Sequence, residues 1–283
     1  MSDVMTETRV DKAAELPDAA RAALRSLILS LADSKRVQGL RYSDRMLGAP
    51  TLEAGIAASS MAQDEWGHAR LTYALLGDFG DDPKALEHER PAAQYQSHPA
   101  LDAEFGSWSD FIACMLLVDT ALATQYGALV GSRYTPVQNR VQKMLDEERF
   151  HFQYAAGWTR KIAAVAELRD ELAASMGRYL APALQWLGDD SAAGARQLVD
   201  DGLVTAGPSA LRAKFLAKVG PVLEDAGLSA GLGLTRRDGS AFTYEGPLSW
   251  DGWDETTRRS GGALDETVAA RARGDKNRAL LLD

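Results

Sequence analysis

The chain has 283 residues, of which 46% are hydrophobic and 25% charged, with 31 basic and 40 acidic side chains. This composition is typical of a soluble globular protein and excludes a disordered or collagen-like chain. Cys114 is the single cysteine, which excludes an internal disulfide and a cysteine-held metal cluster and favours a reducing compartment. The net charge of -9, without a basic stripe, argues against a general nucleic-acid binder.

The apolar segments are too short to predict a membrane span. The longest unbroken run, Phe111 to Val118, is far below the ~20 residues that cross a bilayer. Residues 1–12 lack the apolar core of a signal peptide. We therefore expect a cytoplasmic protein with no membrane contact.

Helices are expected over most of the chain, because period-2 alternation is absent at any length before residue 240. The predicted helices span Pro17 to Met46, Thr51 to Leu76, Ser107 to Gly131, Thr135 to Ala164, Val165 to Leu187, Ser191 to Val204 and Pro208 to Ala226. Ser107 and Asp110 have capping-box spacing, and Thr135 is an N-cap candidate before a proline. The first four helices form two hairpins separated by polar residues 78–106. This order predicts an all-α four-helix bundle with additional C-terminal helices.

The composition changes at Gly227, after which glycines are interspersed with Asp, Ser and Trp residues. We predict a helical bundle domain over residues 17–226 and an irregular extension over residues 227–283. The extension is expected to pack on the bundle or on a partner. It includes a short predicted helix from Leu264 to Ala272.

Two Glu-x-x-His pairs carry the candidate chemistry. The second helix contains Glu65 and His68, and the fourth contains Glu148 and His151. Residues three apart lie on one face of a helix, and both pairs interrupt apolar stripes that should face the core. A buried carboxylate is unfavourable unless it is protonated, paired or metal-bound.

Asp119 adds a third acid on an inward face. Its stripe on the third helix is Ile112, Leu116, Asp119, Ala123, Tyr126 and Val130. The two glutamates and the two histidines are each 83 residues apart, which suggests an internal repeat. Inward acids with two Glu-x-x-His pairs are typical of two-metal sites in bundle cores, and this donor set suits iron or manganese. The candidate ligands are Glu65, His68, Asp119, Glu148 and His151. The alternative is metal-free ion pairing of His68 with Glu148 and of His151 with Glu65.

Other residues have candidate roles around this site. Asp64 and Glu147 each precede a candidate ligand and could accept a hydrogen bond from a ligand imidazole, or could be solvated carboxylates. Tyr126 is a candidate catalytic residue that would line a substrate cavity, with simple packing as the alternative. Trp66 and Phe150 are expected in the core.

The first helix departs from the repeat. Asp119 precedes Glu148 by 29 residues, so a sixth ligand is expected about 30 residues before Glu65. Lys35 stands there, and the nearest acids, Asp33 and Asp44, lie roughly 160 to 180° around the helix from that face. Lys35 could remain cationic and replace a metal ion. It could instead swing aside while solvent or Asp33 completes the ligand set, or form a bridging carbamate. It is therefore a second candidate catalytic residue.

The motif residues resemble a known family. The segments Gln63 to His68, Leu117 to Asp119 and Glu147 to His151 resemble the catalytic A subunits of multicomponent ring-1,2-phenylacetyl-CoA epoxidases, which belong to the phenylacetic acid catabolic family. Weaker likeness continues through residues 182–188 and 211–215. The resemblance implies a ferritin-like bundle with a di-iron centre. The five candidate ligands match the family ligands, whereas Lys35 replaces the glutamate of the first helix.

The resemblance implies a non-haem iron oxygenase that inserts an oxygen atom from O₂ into an aryl acyl-CoA thioester. Two iron ions are implied, with one ion or manganese as alternatives. A same-fold partner subunit and a separate reductase are implied, so we expect an oligomer. Lys35 favours another possibility, a catalytically altered or non-catalytic partner subunit of such a complex. A ferritin-like metal protein without an organic substrate is a third.

Overall fold

The computed structural model describes residues 9–275 except 238 and 240, and this part of the chain is mostly helical. The helices are Asp18–Arg45 (α1), Leu52–Leu76 (α2), Pro83–His88 (α3), Trp108–Cys114 (α4), Thr120–Leu129 (α5), Thr135–Ala163 (α6), Ala166–Trp186 (α7), Ala193–Asp200 (α8), Pro208–Asp225 (α9) and Glu266–Arg273 (α10). The strands are Leu234–Arg236 (β1) and Phe242–Tyr244 (β2). The predicted all-α fold is confirmed. Residues 1–8, part of the segment that carries the signal-peptide argument, lie outside the described residues.

The long helices form a ferritin-like bundle. α1 packs along α2 as one hairpin, and α5 packs on α6 as the other. α2 and α6 are antiparallel neighbours, because Asp64 contacts His151 while His68 contacts Glu147. This arrangement turns the inward faces of both helices towards one point in the core.

The third long helix contains an irregular turn at its centre. Residues Met115–Asp119 form a π-helical turn between α4 and α5, and Asp119 ends it. Such turns are frequent at functional sites. The continuous segment Trp108–Leu129 is long and apolar enough to cross a membrane, but 89% of its most apolar window is buried inside the protein. It therefore has the burial of a core helix in a bundle.

The helix starts follow local capping chemistry. Thr51 accepts a hydrogen bond from the Ala54 amide at 3.2 Å, and Ser107 accepts one from the Asp110 amide at 3.2 Å. Asp110 reaches back to the amide of Gly106 at 2.9 Å, one residue earlier than a capping box requires. Thr135 is the first residue of α6 rather than its N-cap.

Some details of the sequence prediction were wrong. The helix expected from Ser191 to Val204 covers only Ala193–Asp200, and the polar stretch 78–106 contains α3. β1 begins before residue 240 and pairs antiparallel with β2. Three paired residues are too few for alternation to be visible in a sequence.

Two side chains expected to face inward are exposed. Val130 is 37% exposed because it caps the end of α5 rather than continuing its inner face. Phe150 is 69% exposed, since Glu148 and His151 on either side of it occupy the inward face of α6.

The described part of the C-terminal extension packs on the bundle. Arg36 of α1 donates a hydrogen bond to the Ala272 carbonyl at 2.8 Å. Phe242 of β2 lies against Gly220 of α9, where a Cβ atom would come within 2.5 Å of the ring. The domain division near residue 226 stays a prediction.

Candidate functional site

Lys35 is the cation at the centre of the bundle. α1 places its side chain in the core, where it is fully buried. Its Nζ donates hydrogen bonds to Asp119 Oδ1 and Glu148 Oε1, both at 2.5 Å. Glu65 Oε2 lies 2.9 Å from the same nitrogen without hydrogen-bond alignment, so that contact is electrostatic only. One ammonium is thus shared by three carboxylates from different parts of the bundle.

The two Glu-x-x-His pairs face each other across the α2–α6 interface. His151 Nδ1 lies 3.2 Å from Glu65 Oε1 and 3.2 Å from Asp119 Oδ2. His68 Nδ1 lies 3.1 Å from Glu148 Oε1 but lacks the alignment of a hydrogen bond to any described residue. Both ion pairs that the sequence offered as an alternative to metal ligation are therefore present as contacts.

Two carboxylates on the outer side of the cluster, called the outer carboxylates below, contact the Nε2 atoms of the two histidines. Glu147 Oε2 lies 2.8 Å from His68 Nε2, and Asp64 Oδ2 lies 3.3 Å from His151 Nε2. Each outer carboxylate is partly exposed, whereas each imidazole is buried. Carboxylates in these positions fix the orientation and protonation of an imidazole. The roles of Asp64 and Glu147 beside metal ligands stay a prediction.

The carboxylates keep the two basic groups charged. Burial disfavours the Lys35 ammonium, but Asp119, Glu148 and Glu65 outweigh it and raise the pKa of Lys35 well above its ordinary value. Burial also disfavours the imidazolium of His151. Hydrogen bonds to Asp119, Asp64 and Glu65 nevertheless raise the pKa of His151.

The surroundings shift the pKa values of Asp119 and Glu65 in opposite directions. Burial opposes ionisation of Asp119, but Lys35 and the hydrogen bond from His151 lower its pKa well below the usual range. Burial, followed by repulsion from Asp119, raises the pKa of Glu65 to about 7 despite the attraction of Lys35. These two acids are coupled, and Glu65 takes up a proton more readily than Asp119 does.

Two further residues of α1 belong to the site. Gln38 donates to Glu65 Oε1 at 3.3 Å and to the Tyr42 hydroxyl at 2.7 Å. Tyr42 donates to Asp119 Oδ2 at 3.3 Å. Neither residue is among the site residues predicted from the sequence. Their spacing of three and seven residues after Lys35 was the available signal, because those positions share one helix face.

Tyr126 is buried but does not contact the carboxylates. Its hydroxyl lies 2.8 Å from Thr72 Oγ1, and Thr72 donates to the carbonyl of His68 at 2.7 Å. Tyr126 therefore supports α2 next to a site histidine. Its catalytic role stays a prediction.

Asp33 cannot complete the ligand set. It is fully buried on the other side of α1, where Arg90 and Tyr73 contact its carboxylate. The Gln96 amide donates to it at 2.7 Å. The second outcome considered for Lys35, with Asp33 as a replacement ligand, is thus wrong in that detail.

The carboxylate oxygens and imidazole nitrogens of the cluster are possible metal ligands. Ligand atoms of Glu65, Asp119, Glu148 and His151 all lie within 4.8 Å of one another, so this group could hold a metal ion. Carboxylate and imidazole donors suit iron or manganese. However, the Lys35 ammonium occupies the position between the three carboxylates, and its charge leaves them able to balance only one divalent ion. Two ions do not fit this arrangement.

These features define the class of protein: an all-α, ferritin-like bundle with a buried carboxylate and histidine cluster. A family profile described as phenylacetic acid catabolic protein matches residues 2–247. The chain belongs to this family, as the motif resemblance predicted. It is 27% identical over 143 residues to the C subunit of the 1,2-phenylacetyl-CoA epoxidase of Escherichia coli (strain K12), an alignment that covers 49% of this chain and 57% of that protein. The more specific resemblance to catalytic A subunits stays a prediction.

Proposed function

We propose that this chain is a partner subunit of a multicomponent oxygenase of the phenylacetyl-CoA epoxidase type. In this subunit the Lys35 ammonium takes the place of a metal ion. The observation that carries the proposal is the position of Nζ within 2.9 Å of Glu65, Asp119 and Glu148. The subunit would bind a same-fold catalytic subunit, which would receive electrons from a separate reductase.

The charge balance of the cluster supports a metal-free centre. Against the cost of burial, the neighbouring carboxylates raise the pKa values of Lys35, His68 and His151, so these three bases can carry positive charge opposite Glu65, Asp119 and Glu148. Burial raises the pKa of Glu65 to about 7, so this carboxyl can also hold a proton near neutral pH. The cluster can therefore be neutral without a metal, which removes the main cost of burying its carboxylates.

The relative in Escherichia coli is named as one lettered subunit of an epoxidase, which supports a role as one component among several. Under this proposal the bundle has a structural task in the complex. The substrate of the complex would be phenylacetyl-CoA or another aryl acyl-CoA thioester.

A second candidate function is that of the iron oxygenase itself. It is favoured by the buried Nδ1 of His68, which lacks a hydrogen bond within the described structure, and by the outer carboxylates on both Nε2 atoms. If the Lys35 side chain moved away, the donors would be those of the five predicted ligands. Bound iron would then supply reductive O₂ activation, while the protein would position the donors and exclude water.

Iron loading distinguishes the two candidates. We would add ferrous iron anaerobically to the full chain, desalt it and measure iron per chain for wild type, Lys35→Met and Lys161→Met. Lys161 lies over the Trp158 ring, away from the cluster, and controls for loss of a lysine. The proposal predicts no retained iron in wild type or Lys161→Met and retained iron in Lys35→Met. One or two firmly held ions in wild type would contradict it.

A turnover assay adds an independent readout. Wild type supplied with ferrous iron, a reductant system and phenylacetyl-CoA should give no oxygenated product by mass spectrometry. Product formation by the isolated, iron-loaded chain would favour the oxygenase candidate instead.

A further inference from the structure

A cavity of about 450 Å³ lies beside the first half of α1. α8, the start of α9, residue Gln125 of α5 and the loop 253–258 form its other walls. Leu27 on its wall precedes Lys35 by eight residues of α1, which is about 12 Å along the helix axis. The cavity is therefore separate from the carboxylate cluster. Its volume lies in the range of about 300–1,000 Å³ found for small-molecule sites.

The walls are mainly apolar and made of small side chains. Alanines from α1, α8 and the segment before α9 contribute Ala23, Ala195 and Ala206, and larger apolar contacts come from Leu198 and Leu211. Short side chains leave the space open where longer ones would close it. This lining suits the apolar part of a ligand.

Gln125 supplies an unpartnered polar group to this cavity. Its side chain is only 3% exposed, and its amide makes no hydrogen bond to any residue that the structure describes. An amide on a cavity wall that has no protein partner is available to a ligand or to water. A ligand atom in the cavity would satisfy it.

Arg258 supplies a cation to the same wall. Its Nε and Nη2 donate to the Trp186 carbonyl at 3.1 and 2.7 Å, and the guanidinium lies 4.6 Å from the centre of the Trp186 ring. Within the described residues it forms no ion pair with a carboxylate. Its backbone φ of 53° holds the loop in a conformation that side chains other than glycine rarely adopt. Such strain at a cavity wall is typical of binding sites.

The other charged groups of the cavity wall have hydrogen-bond partners of their own. Arg25 bonds to Asp81, Glu255 accepts from the amides of Gly194 and Ala195, and Asp189 accepts from Ser191. Glu255 attracts the Arg258 guanidinium without forming an ion pair with it, so among the described residues Arg258 is the wall cation that has no carboxylate in contact. A ligand with a negative charge would complement it.

We propose that this cavity binds a small amphipathic carboxylate, such as a medium-chain aliphatic or aryl-substituted carboxylic acid. The carboxylate pairs with Arg258, the apolar portion lies against the alanine walls, and the Gln125 amide makes a further hydrogen bond. This site is independent of the function proposed for the carboxylate cluster.

Calorimetric titration of the purified full chain tests the proposal, with octanoate as the probe and octan-1-ol and octylamine as uncharged and cationic analogues. Octanoate should bind saturably, and the two analogues should bind at least about tenfold more weakly. No saturable binding of octanoate, or equal binding of either analogue, would overturn the proposal.

Variants locate the binding to this cavity. Ala23→Phe should fill the space and abolish octanoate binding, whereas Ala74→Phe, at an exposed position of α2, should leave it unchanged. Gln125→Leu should weaken binding about tenfold while keeping the fold, which thermal unfolding would verify. Unchanged affinity in a folded Ala23→Phe or Gln125→Leu variant would contradict the assignment.

Discussion

Two charged clusters lie on opposite sides of α1, only two residues apart in sequence, and they balance their charges differently. Asp33 is fully buried with one cation, Arg90, and with hydrogen bonds from Tyr73 and the Gln96 amide. Lys35 is equally buried but faces three carboxylates. The first cluster has one acid, one base and a complete set of partners. The second has three carboxylates around one lysine, and protons on its titratable groups offset the negative charge. A site of this kind could accept another cation.

The two clusters therefore predict different responses to loss of their cation. Among the described residues no second cation contacts the Asp33 carboxylate, so loss of Arg90 should leave its charge uncompensated. The Lys35 cluster has ligand-type donors around the cation, so a metal ion should be able to replace the ammonium. Buried networks of both kinds are costly to break, because one partner is left charged in a medium of low polarity.

The largest effect should follow Arg90→Met. This change leaves the Asp33 carboxylate without its cation and removes bonds from Arg90 to the carbonyls of Leu86 and Gln94. We expect a loss of about 5 kcal/mol in the free energy of unfolding, at the upper end of values for buried pairs. Chemical denaturation measures it. Arg21→Met, which breaks an exposed pair with Asp18, is the control and should cost less than about 1 kcal/mol.

Lys35→Met should cost somewhat less, about 3 kcal/mol, since Glu65 and its neighbours can take up protons. Ferrous or manganous ions at a hundredfold excess over their dissociation constant should restore about 2.7 kcal/mol to this variant. The same ions should leave Arg90→Met unchanged. Equal metal responses of the two variants in thermal unfolding would remove the distinction between the clusters.

The histidines near the two clusters should contribute to stability with opposite pH dependence. Burial, reinforced by Arg259 and Arg258, lowers the pKa of His98 to about 3, and the amide of His98 donates to Ser34 Oγ at 2.9 Å. Since unfolded His98 takes up a proton below its ordinary value of 6.5, its contribution to stability is complete above that pH and is lost as the pH falls towards 3. His151, whose pKa is raised, has the opposite dependence and adds stability below pH 6.5.

His98→Gln should therefore remove part of the acid sensitivity. The difference in unfolding free energy between pH 7 and pH 5 should shrink by about 2 kcal/mol, whatever the substitution costs at pH 7. Urea denaturation at both pH values measures this slope. An unchanged slope would mean that His98 is already protonated in the folded protein.

The smallest effect should follow Tyr42→Phe. The variant loses the hydrogen bond to Asp119 Oδ2 and leaves Gln38 without its hydroxyl partner. We expect a loss of about 1 kcal/mol. Because Lys35 stays in place, metal retention should not change. Gain of bound iron in this variant would show that Tyr42, rather than Lys35, restricts the centre.

The sequence was sufficient to predict the helices and the inward position of the cluster. Glu65, Asp119 and Glu148 interrupt apolar stripes at helical spacing, and that local pattern is all that such a prediction requires. Lys35 stood out for the same reason.

The Asp33 cluster could not be predicted in this way. Its partner Arg90 and the Gln96 amide come from the segment after α2, which covers the outer face of α1 and buries it on both sides. Nothing in the polar composition of that segment indicates which helix face it covers. Spacing within α1 places Gln38 and Tyr42 on the face of Lys35, but their contacts with Glu65 and Asp119 depend on distances between helices.

Anomalous diffraction at the iron edge, on crystals of the wild-type chain soaked anaerobically in ferrous iron, shows whether iron or the Lys35 ammonium lies between the three carboxylates. We expect no anomalous peak among Glu65, Asp119 and Glu148 and continuous density for the Lys35 side chain reaching them. Two peaks beside Glu65 and Glu148, with Lys35 displaced, would contradict this expectation.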